Sequence, residues 1–251
     1  MDLVSHQPYW LVKNGLVATY PALEHDERCD VLVLGAGITG AIFAERLARE
    51  GFDVVVLDRR DVGQGSTSAS TALLLYEIDT HLADLRELVG RPAADRAYRL
   101  SVASIDSLER LARASEIDCA FRRKRSVYAA SREEDLDALR RELEARLELG
   151  IDAAWLGPRE LQEHYSLPYC GAIVSGHSAS CDPYLLGHGL LKAAAARSTN
   201  LRPHRGRGVR RTTRRRSSRT DRARARRHGA ARRDGDRLRI AAVFAREGRE
   251  V

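Results

Sequence analysis

The sequence predicts an α/β fold that begins with a Rossmann-like βαβ unit and continues into an α+β segment. Two observations predict the βαβ unit. Two short runs of β-branched and other apolar residues flank an alanine- and leucine-rich stretch, and a glycine-rich turn joins the first run to that stretch. The α+β segment is predicted from helical periodicity that alternates with short apolar runs. The 251 residues suffice for one large domain or two small ones.

Each element of the βαβ unit follows from its residue types. Asp30 to Leu34 has the composition of a strand buried on both faces. The turn Gly35 to Gly40 follows directly. Ala41 to Glu50 has apolar residues at helical spacing and ends at Gly51, a residue typical of helix C-termini. Asp53 to Leu57 then predicts a second buried strand.

The glycine spacing of the turn indicates a dinucleotide site. Gly35 permits a tight turn, Gly37 lets the backbone approach a pyrophosphate, and Gly40 lets the helix lie close to the strand. The N-terminus of the helix offers unpaired N–H groups and the positive end of a dipole. Asp58 ends the second strand, 23 residues after Gly35, where a carboxylate binds ribose hydroxyls. A carboxylate at this position argues against binding of the 2′-phosphate of NADP. The positive charges of Arg59 and of the arginine after it would attract such a phosphate, so charge alone does not exclude NADP.

The loop from Gly63 to Thr71 distinguishes FAD from NAD. Its small and hydroxyl-bearing residues bring backbone N–H groups and hydroxyls within reach of phosphates and a flavin ring. With the fingerprint and Asp58 before it, this loop resembles the glycine- and serine-rich segment of the D-amino-acid oxidase-like (DAO) family of FAD-dependent oxidoreductases. The element that begins with Asp182 and Pro183 resembles the family's Asp-Pro-x-x-Leu motif, and physically it is a helix start. The resemblance covers residues 8–197.

The resemblance implies FAD as the cofactor and a set of residues that bind it. The pyrophosphate would lie on Gly35, Gly37, Ile38, Thr39 and Gly40, the adenosine ribose on Asp58, and the adenine near Arg59, while Gly65, Ser66, Thr67 and Ser68 would line the path to the flavin. It also implies the division of the chain: a lead-in (1–29), the FAD-binding βαβ unit with the flavin loop (30–81), a substrate-side α+β segment (82–180), a return helix (181–197) and an arginine-rich tail (198–251).

The substrate-side segment predicts two amphipathic helices and several shorter elements. Apolar spacing predicts helices over Leu100–Ile117 and Arg132–Leu149; in the second, Glu142 and Arg146 would form an exposed i,i+4 pair that contributes about 0.2–0.5 kcal/mol. The shorter predicted elements are strands at Ser126–Ala130 and Ile151–Trp155 and a helix at Pro158–His164. The run Arg122–Arg125 is interpreted as a solvated basic surface, and the alternative is that it binds an acidic group of the substrate.

Catalytic residues cannot be assigned from the sequence, because in flavin chemistry the cofactor transfers the electrons and the protein orients the substrate. His164, His177 and His188 are pocket candidates but read more readily as surface or helix histidines. Tyr76 and Glu77 either face the cofactor or pack in the core. The four cysteines have no metal-ligand spacing, so no metal site is expected and the chain reads as disulfide-free.

The net charge of +7 is concentrated in the last fifth of the chain. Residues 1–197 carry 23 Lys and Arg against 30 Asp and Glu, whereas residues 198–251 carry 19 Arg, no Lys and 5 acidic residues. One interpretation is a disordered arm that binds nucleic acid. The absence of Lys, and of aromatic residues other than Phe244, argues against that interpretation.

A second interpretation is that the chain is out of frame from about Ser198. GC-rich genes read in a shifted frame yield arginine and alanine in excess. When Leu201–Arg205 and Gly235–Ala241 are back-translated and shifted by one base, they yield Phe-Asp-Arg-Thr and Ala-Thr-Gly-Tyr-Glu-Ser, which resemble two consecutive landmarks of the family. We therefore expect a frameshifted tail, a fold that is incomplete at its C-terminus, and weak or absent FAD binding.

The function expected from the resemblance is FAD-dependent oxidation of an amine or amino acid at its C–N centre, with this chain an inactive fragment. The alternatives are an NAD(P)-dependent dehydrogenase and, in another class, a nucleic-acid-binding protein that uses the arginine-rich tail. We expect a small-molecule substrate, no specific nucleic-acid partner and a cytoplasmic location. No transmembrane segment is expected, because no apolar run approaches the ~20 residues of a membrane span.

Overall fold

The computed structural model describes residues 7–23, 27–197, 203–205, 209–211 and 238–242, and the chain divides into two compact units. Unit 1 combines residues 1–70 with 183–251, and unit 2 comprises residues 71–182. The predicted α/β class is confirmed, because unit 1 holds a parallel sheet and unit 2 an antiparallel sheet with helices.

The elements of unit 1 include the predicted βαβ unit. They are α1 (Tyr9–Asn14), β1 (Glu27–Cys29), β2 (Val31–Leu34), α2 (Ile38–Arg49), β3 (Val54–Asp58), α7 (Pro183–Arg197), β8 (Pro203–Arg205), β9 (Val209–Arg211) and β10 (Leu238–Ala242). Strands β2 and β3 pair in parallel from Val31↔Val54 to Leu34↔Leu57, and β8 pairs in parallel with the other edge of β3. A separate antiparallel sheet has the order β1-β10-β9.

Two features of unit 1 differ from the predictions. Strand β3 is buried as expected, but β2 is only half-buried, because it lies at the edge of the order β2-β3-β8 and no described strand covers its other side. Strands β8, β9 and β10 lie within the segment for which no strand was predicted. The rest of that segment, which includes most of the predicted frameshifted tail, lies outside the described residues.

Helix α2 packs against α7 through small side chains. Ala41, Ala44 and Ala48 are buried on one face of α2, and Leu186 and Leu190 are among the buried residues of α7. Helix α7 begins at Pro183, as the Asp-Pro motif predicts. At the C-terminal end of α2, Gly51 has the positive φ of +80° expected of a residue that follows a helix.

Unit 2 is an antiparallel sheet with helices. Its elements are β4 (Leu73–Leu74), α3 (Leu82–Val89), α4 (Arg91–Ala114), β5 (Arg122–Ala130), α5 (Leu136–Glu148), β6 (Ala153–Leu156), α6 (Pro158–Tyr165) and β7 (Gly171–Ser180). The central strand β7 pairs with β5 along one edge and with β6 and β4 along the other. Each predicted helix and strand of this segment is present with shifted ends, whereas α3 and β7 were not predicted.

The basic run at the start of β5 is exposed, as predicted, and it is part of a strand, which the sequence did not indicate. Arg123 is also an ion-pair partner of Asp106 and Glu109 on α4. All four basic positions of the strand are exposed, so their residue types show no alternation that would indicate a strand.

The prediction that the Glu142–Arg146 pair is exposed is wrong, because both side chains are buried in the structure. The exposed fractions of the two side chains are 0% and 1%, and Arg146 Nε donates to Glu142 Oε1 at 2.7 Å. Arg146 Nη1 also donates to the hydroxyl of Tyr76, which is buried in the core beside Tyr98. Tyr76 is therefore a core residue, and Glu77 accepts from Ser126 at 2.6 Å.

Three further observations concern the described residues only. Their cysteines are all unpaired thiols. They include no group of three or more His, Cys, Asp or Glu side chains arranged to hold a metal ion. No helix among them is long and apolar enough to cross a membrane.

Candidate functional site

The glycine turn between β2 and α2 is shaped by two close backbone approaches. Gly35 has a φ of +103°, and its N–H donates to the carbonyl of Leu57 at 2.7 Å, which ties the turn to β3. A Cβ at Gly40 would collide with the carbonyl oxygen of Gly35. The helix can therefore start this close to the turn only because residue 40 is glycine, as the sequence predicts.

A threonine from the flavin loop caps the N-terminus of α2. The N-cap residue Gly37 has no side chain, and the N–H of Ile38 donates to Thr67 Oγ1 at 3.0 Å. A Cβ at Gly37 would lie 3.1 Å from the same oxygen, so glycine leaves room for the hydroxyl. The N–H groups of Thr39 and Gly40 also belong to the first helical turn, where intrahelical acceptors are lacking. Helix start and loop together form a concentration of donors suited to an anion.

Asp58 lies at the tip of β3 and is half-buried. Its carboxylate is hydrogen-bonded to the backbone of the glycine turn. Its Oδ2 accepts from the N–H of Ala36 at 2.8 Å, and its Oδ1 accepts from the N–H of Arg60 at 2.9 Å. A carboxylate has about four acceptor positions, so two remain for hydroxyl groups. The sequence predicts the acid at this position but not its bond to the turn.

The loop after β3 folds back on itself beside the helix start. The N–H of Gly63 donates to the carbonyl of Ala36 at 3.0 Å, and Ser68 donates through its N–H to Gly63 and through its hydroxyl to Gly65. Thr67 and Ser68 are buried, whereas Ser66 is exposed. The carbonyl of Ser70, at the end of the loop, accepts from the indole N–H of Trp10 at 2.8 Å.

Two aromatic residues of α7 support this loop; the sequence offered His188 as a pocket candidate, whereas Tyr184 was not singled out. Tyr184 lies so close to Gly63 that a Cβ there would be 2.8 Å from its ring, and Gly63 has a φ of +71°. His188 packs edge-on against Tyr184 and is buried. Burial lowers the pKa of His188 below its ordinary value, which favours the neutral imidazole. The helix-start motif pointed to α7 but not to its contact with the loop.

The structure brings together most of the predicted cofactor residues. Eight of them converge where the turn, the helix start and the loop meet: Gly35, Gly37, Ile38, Thr39, Gly40, Asp58, Thr67 and Ser68. Arg59 and Ser66 are exposed at the rim, and a Cβ at Gly65 would lie 3.0 Å from the guanidinium of Arg60. Of the pocket histidines, His188 lies behind the loop, while His164 and His177 belong to unit 2.

The sequence matches the profile of the FAD dependent oxidoreductase family (DAO) over residues 30–240. The chain belongs to this family. The match begins at the first strand of the βαβ unit and extends past Ser198 into the arginine-rich segment. FAD is the cofactor of the family, and the donor-rich helix start and the glycine cradle fit its pyrophosphate.

Solved structures show the same fold at low sequence identity. L-amino acid deaminase from Proteus vulgaris superposes with a TM-score of 0.62 at 19% identity, covering 82% of this chain and 51% of that one. Glycine oxidase from Geobacillus kaustophilus superposes with a TM-score of 0.56 at 23% identity, covering 72% of this chain and 48% of that one. These similarities establish the fold.

Similarity to curated proteins covers a smaller share of each. Gamma-glutamylputrescine oxidoreductase of Escherichia coli (strain K12) is 26% identical over 114 residues, which is 45% of this chain and 27% of that protein. A Bacillus subtilis (strain 168) protein named YhfW is 29% identical over 146 residues, which is 58% of this chain and 28% of that protein. The chain thus spans less than a third of these two proteins and about half of the solved structures.

Proposed function

We propose that this chain carries the FAD-binding part of an oxidoreductase that oxidises an amine or amino acid at its C–N bond. Support comes from the family match together with the names of similar proteins, which include an L-amino acid deaminase, a glycine oxidase and a gamma-glutamylputrescine oxidoreductase. The single observation that carries the cofactor assignment is the donor cluster where Ile38 meets Thr67 beneath the glycine turn.

Each cofactor residue has a proposed role that follows from its geometry. The N–H groups of Thr39 and Gly40 would donate to the pyrophosphate, because the helix start provides both free donors and a favourable dipole. The remaining acceptor positions of Asp58 would bind the hydroxyls of the adenosine ribose. Arg59 would lie beside the adenine, and Gly65 to Ser68 would line the path toward the flavin.

Thr67 would act as a relay between the helix and a phosphate. Its hydroxyl oxygen accepts from the N–H of Ile38, so its own proton is left to donate. A hydroxyl at the positive end of a helix is a stronger donor than one in bulk solvent, because the dipole stabilises an adjacent negative charge. The buried position of Thr67 holds the hydroxyl in place before the cofactor binds.

The chemistry that FAD supplies when bound is acceptance of a hydride from the carbon that carries the substrate nitrogen. The residues of unit 1 contribute binding and orientation. We further propose that the 251 residues on their own hold FAD weakly, do not retain it in stoichiometric amount, and do not turn over substrate.

Titration of the purified chain with FAD, followed by quenching of flavin fluorescence, tests the cofactor site. We expect FAD to bind reversibly and NAD to bind much more weakly. Replacing Thr67 by valine keeps the side-chain shape and removes the hydroxyl, so we expect Kd for FAD to rise about tenfold, the value for one lost hydrogen bond to a charged group.

The matched control is Thr19→Val, which removes an exposed hydroxyl of unit 1 outside the loop. Its Kd for FAD should equal that of the parent chain. Equal effects of the two substitutions would contradict the role of Thr67, and NAD binding as tight as FAD binding would contradict the cofactor assignment. A purified protein with one FAD per chain would contradict the proposed weak retention.

A further inference from the structure

Unit 2 contains a cavity of about 460 Å³ on one face of its sheet. Ala154 and Val174 form its floor, and Tyr165 on α6 forms part of its wall. These floor positions alternate with Trp155 and Ile173, which belong to the hydrophobic cluster on the opposite face, where α5 packs. The cavity is therefore separate from the core, and its volume is in the range of small-molecule sites.

Two side chains of opposite charge line this cavity without neutralising each other. Arg125 and Asp152 are both exposed, and neither forms an ion pair with any residue that the structure describes. Arg125 differs in this respect from Arg123 and Arg159, which pair with Asp106 and Glu163. An unpaired cation and an unpaired anion at one cavity suit a ligand that carries both charges.

A β-bulge places the two charges around a glycine. Between the pairs Lys124↔Ser178 and Ser126↔Ser175, the two β7 residues Gly176 and His177 lie opposite the single β5 residue Arg125. Bulges re-aim side chains and are common beside binding sites.

Asp152 approaches the same glycine from the other edge of β7. A Cβ at Gly176 would lie 3.4 Å from Asp152 Oδ2. The strand spacing of about 4.8 Å puts the backbones of Arg125 and Asp152 roughly 10 Å apart, with no side chain between them.

The backbone of Asp152 is fixed by two contacts that leave its carboxylate available. Its carbonyl accepts from the hydroxyl of Ser175 at 2.8 Å, and its N–H donates to His177 Nε2 at 3.3 Å. The backbone from which the acidic side chain projects is thus fixed before any ligand arrives. Such pre-organisation reduces the entropy cost of binding.

We propose that this cavity binds a small zwitterionic amino acid, with the ligand's carboxylate on Arg125, its ammonium on Asp152 and its side chain over the floor of Ala154 and Val174. As a substrate site the assignment rests on the proposed function. As a binding site it requires no flavin, because all its residues lie in unit 2.

Three probes of nearly equal shape test the proposal on the full 251-residue chain, with binding followed by saturation-transfer NMR. Leucine carries both charges, isocaproate lacks the ammonium, and isoamylamine lacks the carboxylate. We expect leucine to bind at least about threefold more tightly than either single-charge probe, a modest ratio because both protein charges are exposed.

Two substitutions should give crossed patterns. Arg125→Gln should weaken binding of leucine and isocaproate but not of isoamylamine. Asp152→Asn should weaken binding of leucine and isoamylamine but not of isocaproate. The matched controls are Lys124→Gln and Asp79→Asn, which remove the same charges at exposed residues of unit 2 that do not line the cavity.

The crossed pattern with silent controls supports the site. Leucine binding that no cavity substitution changes, controls that act like the cavity variants, or the absence of leucine binding would each overturn it. These readouts do not depend on FAD. Leucine binding with the crossed pattern in a chain that fails to bind FAD would therefore refute the proposed function alone, and FAD binding without leucine binding would refute the cavity assignment alone.

Discussion

Replacement of Arg146 by methionine tests whether unit 2 depends on its buried ion pair. The guanidinium donates to Glu142 Oε1 at 2.7 Å and to the hydroxyl of Tyr76 at 2.9 Å, and it lies 3.5 Å from Glu77 Oε1. Methionine retains much of the apolar volume and removes the charge. The change leaves the Glu142 carboxylate, which is fully buried, without its cation.

The expected cost follows from that uncompensated charge. Removing one partner of a buried pair typically destabilises a protein by about 3–5 kcal/mol, whereas an exposed pair contributes about 0.2–1 kcal/mol. The other partners of the carboxylate, the N–H of Ala83 at 3.0 Å and the hydroxyl of Tyr98 at 3.4 Å, remain but carry no charge. We therefore expect the free energy of unfolding of unit 2 to fall by about 3 kcal/mol or more.

Urea unfolding followed by the fluorescence of Trp155 measures this effect, since Trp155 lies in unit 2 and a Trp10→Phe background removes the other indole. The control is Arg159→Met, whose guanidinium pairs with Glu163 at 2.8 Å but whose side chain is 89% exposed. Its cost should stay within about 0.5 kcal/mol.

The double variant Glu142→Leu with Arg146→Met distinguishes two contributions to the lost stability: loss of the attraction within the pair, and burial of a carboxylate without its cation. It should be less destabilised than Arg146→Met alone, because the fully buried Glu142 carboxylate is removed together with its cation, and only Glu77, whose Oε1 keeps the hydrogen bond from Ser126, loses an ion-pair partner. Equal costs for Arg146→Met and Arg159→Met, or a double variant that is as unstable as the sum of its single variants, would refute the reasoning.

Three other predictions concern protonation, thiol reactivity and the gene. Burial lowers the pKa of His188, so as the pH falls the imidazole is protonated in the unfolded chain before it is protonated in the folded chain. The free energy of unfolding should therefore decrease below about pH 6.5. His188→Gln should make the urea midpoint of unfolding less dependent on pH in this range. Burial raises the pKa of Cys29 to about 11 and that of Cys181 to about 12, so at about pH 8 a disulfide reagent should label the less buried Cys170 first, and equal labelling rates would contradict this. Sequencing the gene should show, in the frame shifted by one base after the codon for Ser198, an open continuation with the family's landmarks; an early stop codon would refute the frameshift.

The glycine turn and the acid that ends β3 could be predicted from the sequence because local sequence determines them. Gly35, Gly37 and Gly40 fix the turn through backbone geometry alone, and Asp58 is positioned by the strand that it ends. Contacts at longer range could not be predicted in this way. The hydrogen bond from Ile38 to Thr67 spans 29 residues, and the packing of Tyr184 on Gly63 depends on how α7 returns to the sheet.

The buried pair shows a second limit of periodicity. Leucine spacing in α5 predicts a helix but does not show how wide the buried face is. Glu142 and Arg146 enter the core because Tyr76, 70 residues away from Arg146, provides a hydroxyl for the guanidinium. A charged residue on the flank of an apolar stripe is therefore compatible with either exposure or burial, and only the partner from a distant element decides between them.

The cavity in unit 2 is the extreme case of assembly from distant residues. Arg125 belongs to a run of four cations that sequence analysis assigned to solvated surface, and Asp152 is one acid among many. Their approach depends on a bulge of one residue in β7, which shifts the pairing register beside Gly176. Without that bulge, Arg125 would have a single partner residue on β7, and the alternation of side chains across the sheet would continue unbroken. Residue types along the chain allowed the basic run to bind an acidic group of a substrate, but they could not show that Asp152 lies beside the same glycine, because that depends on strand register.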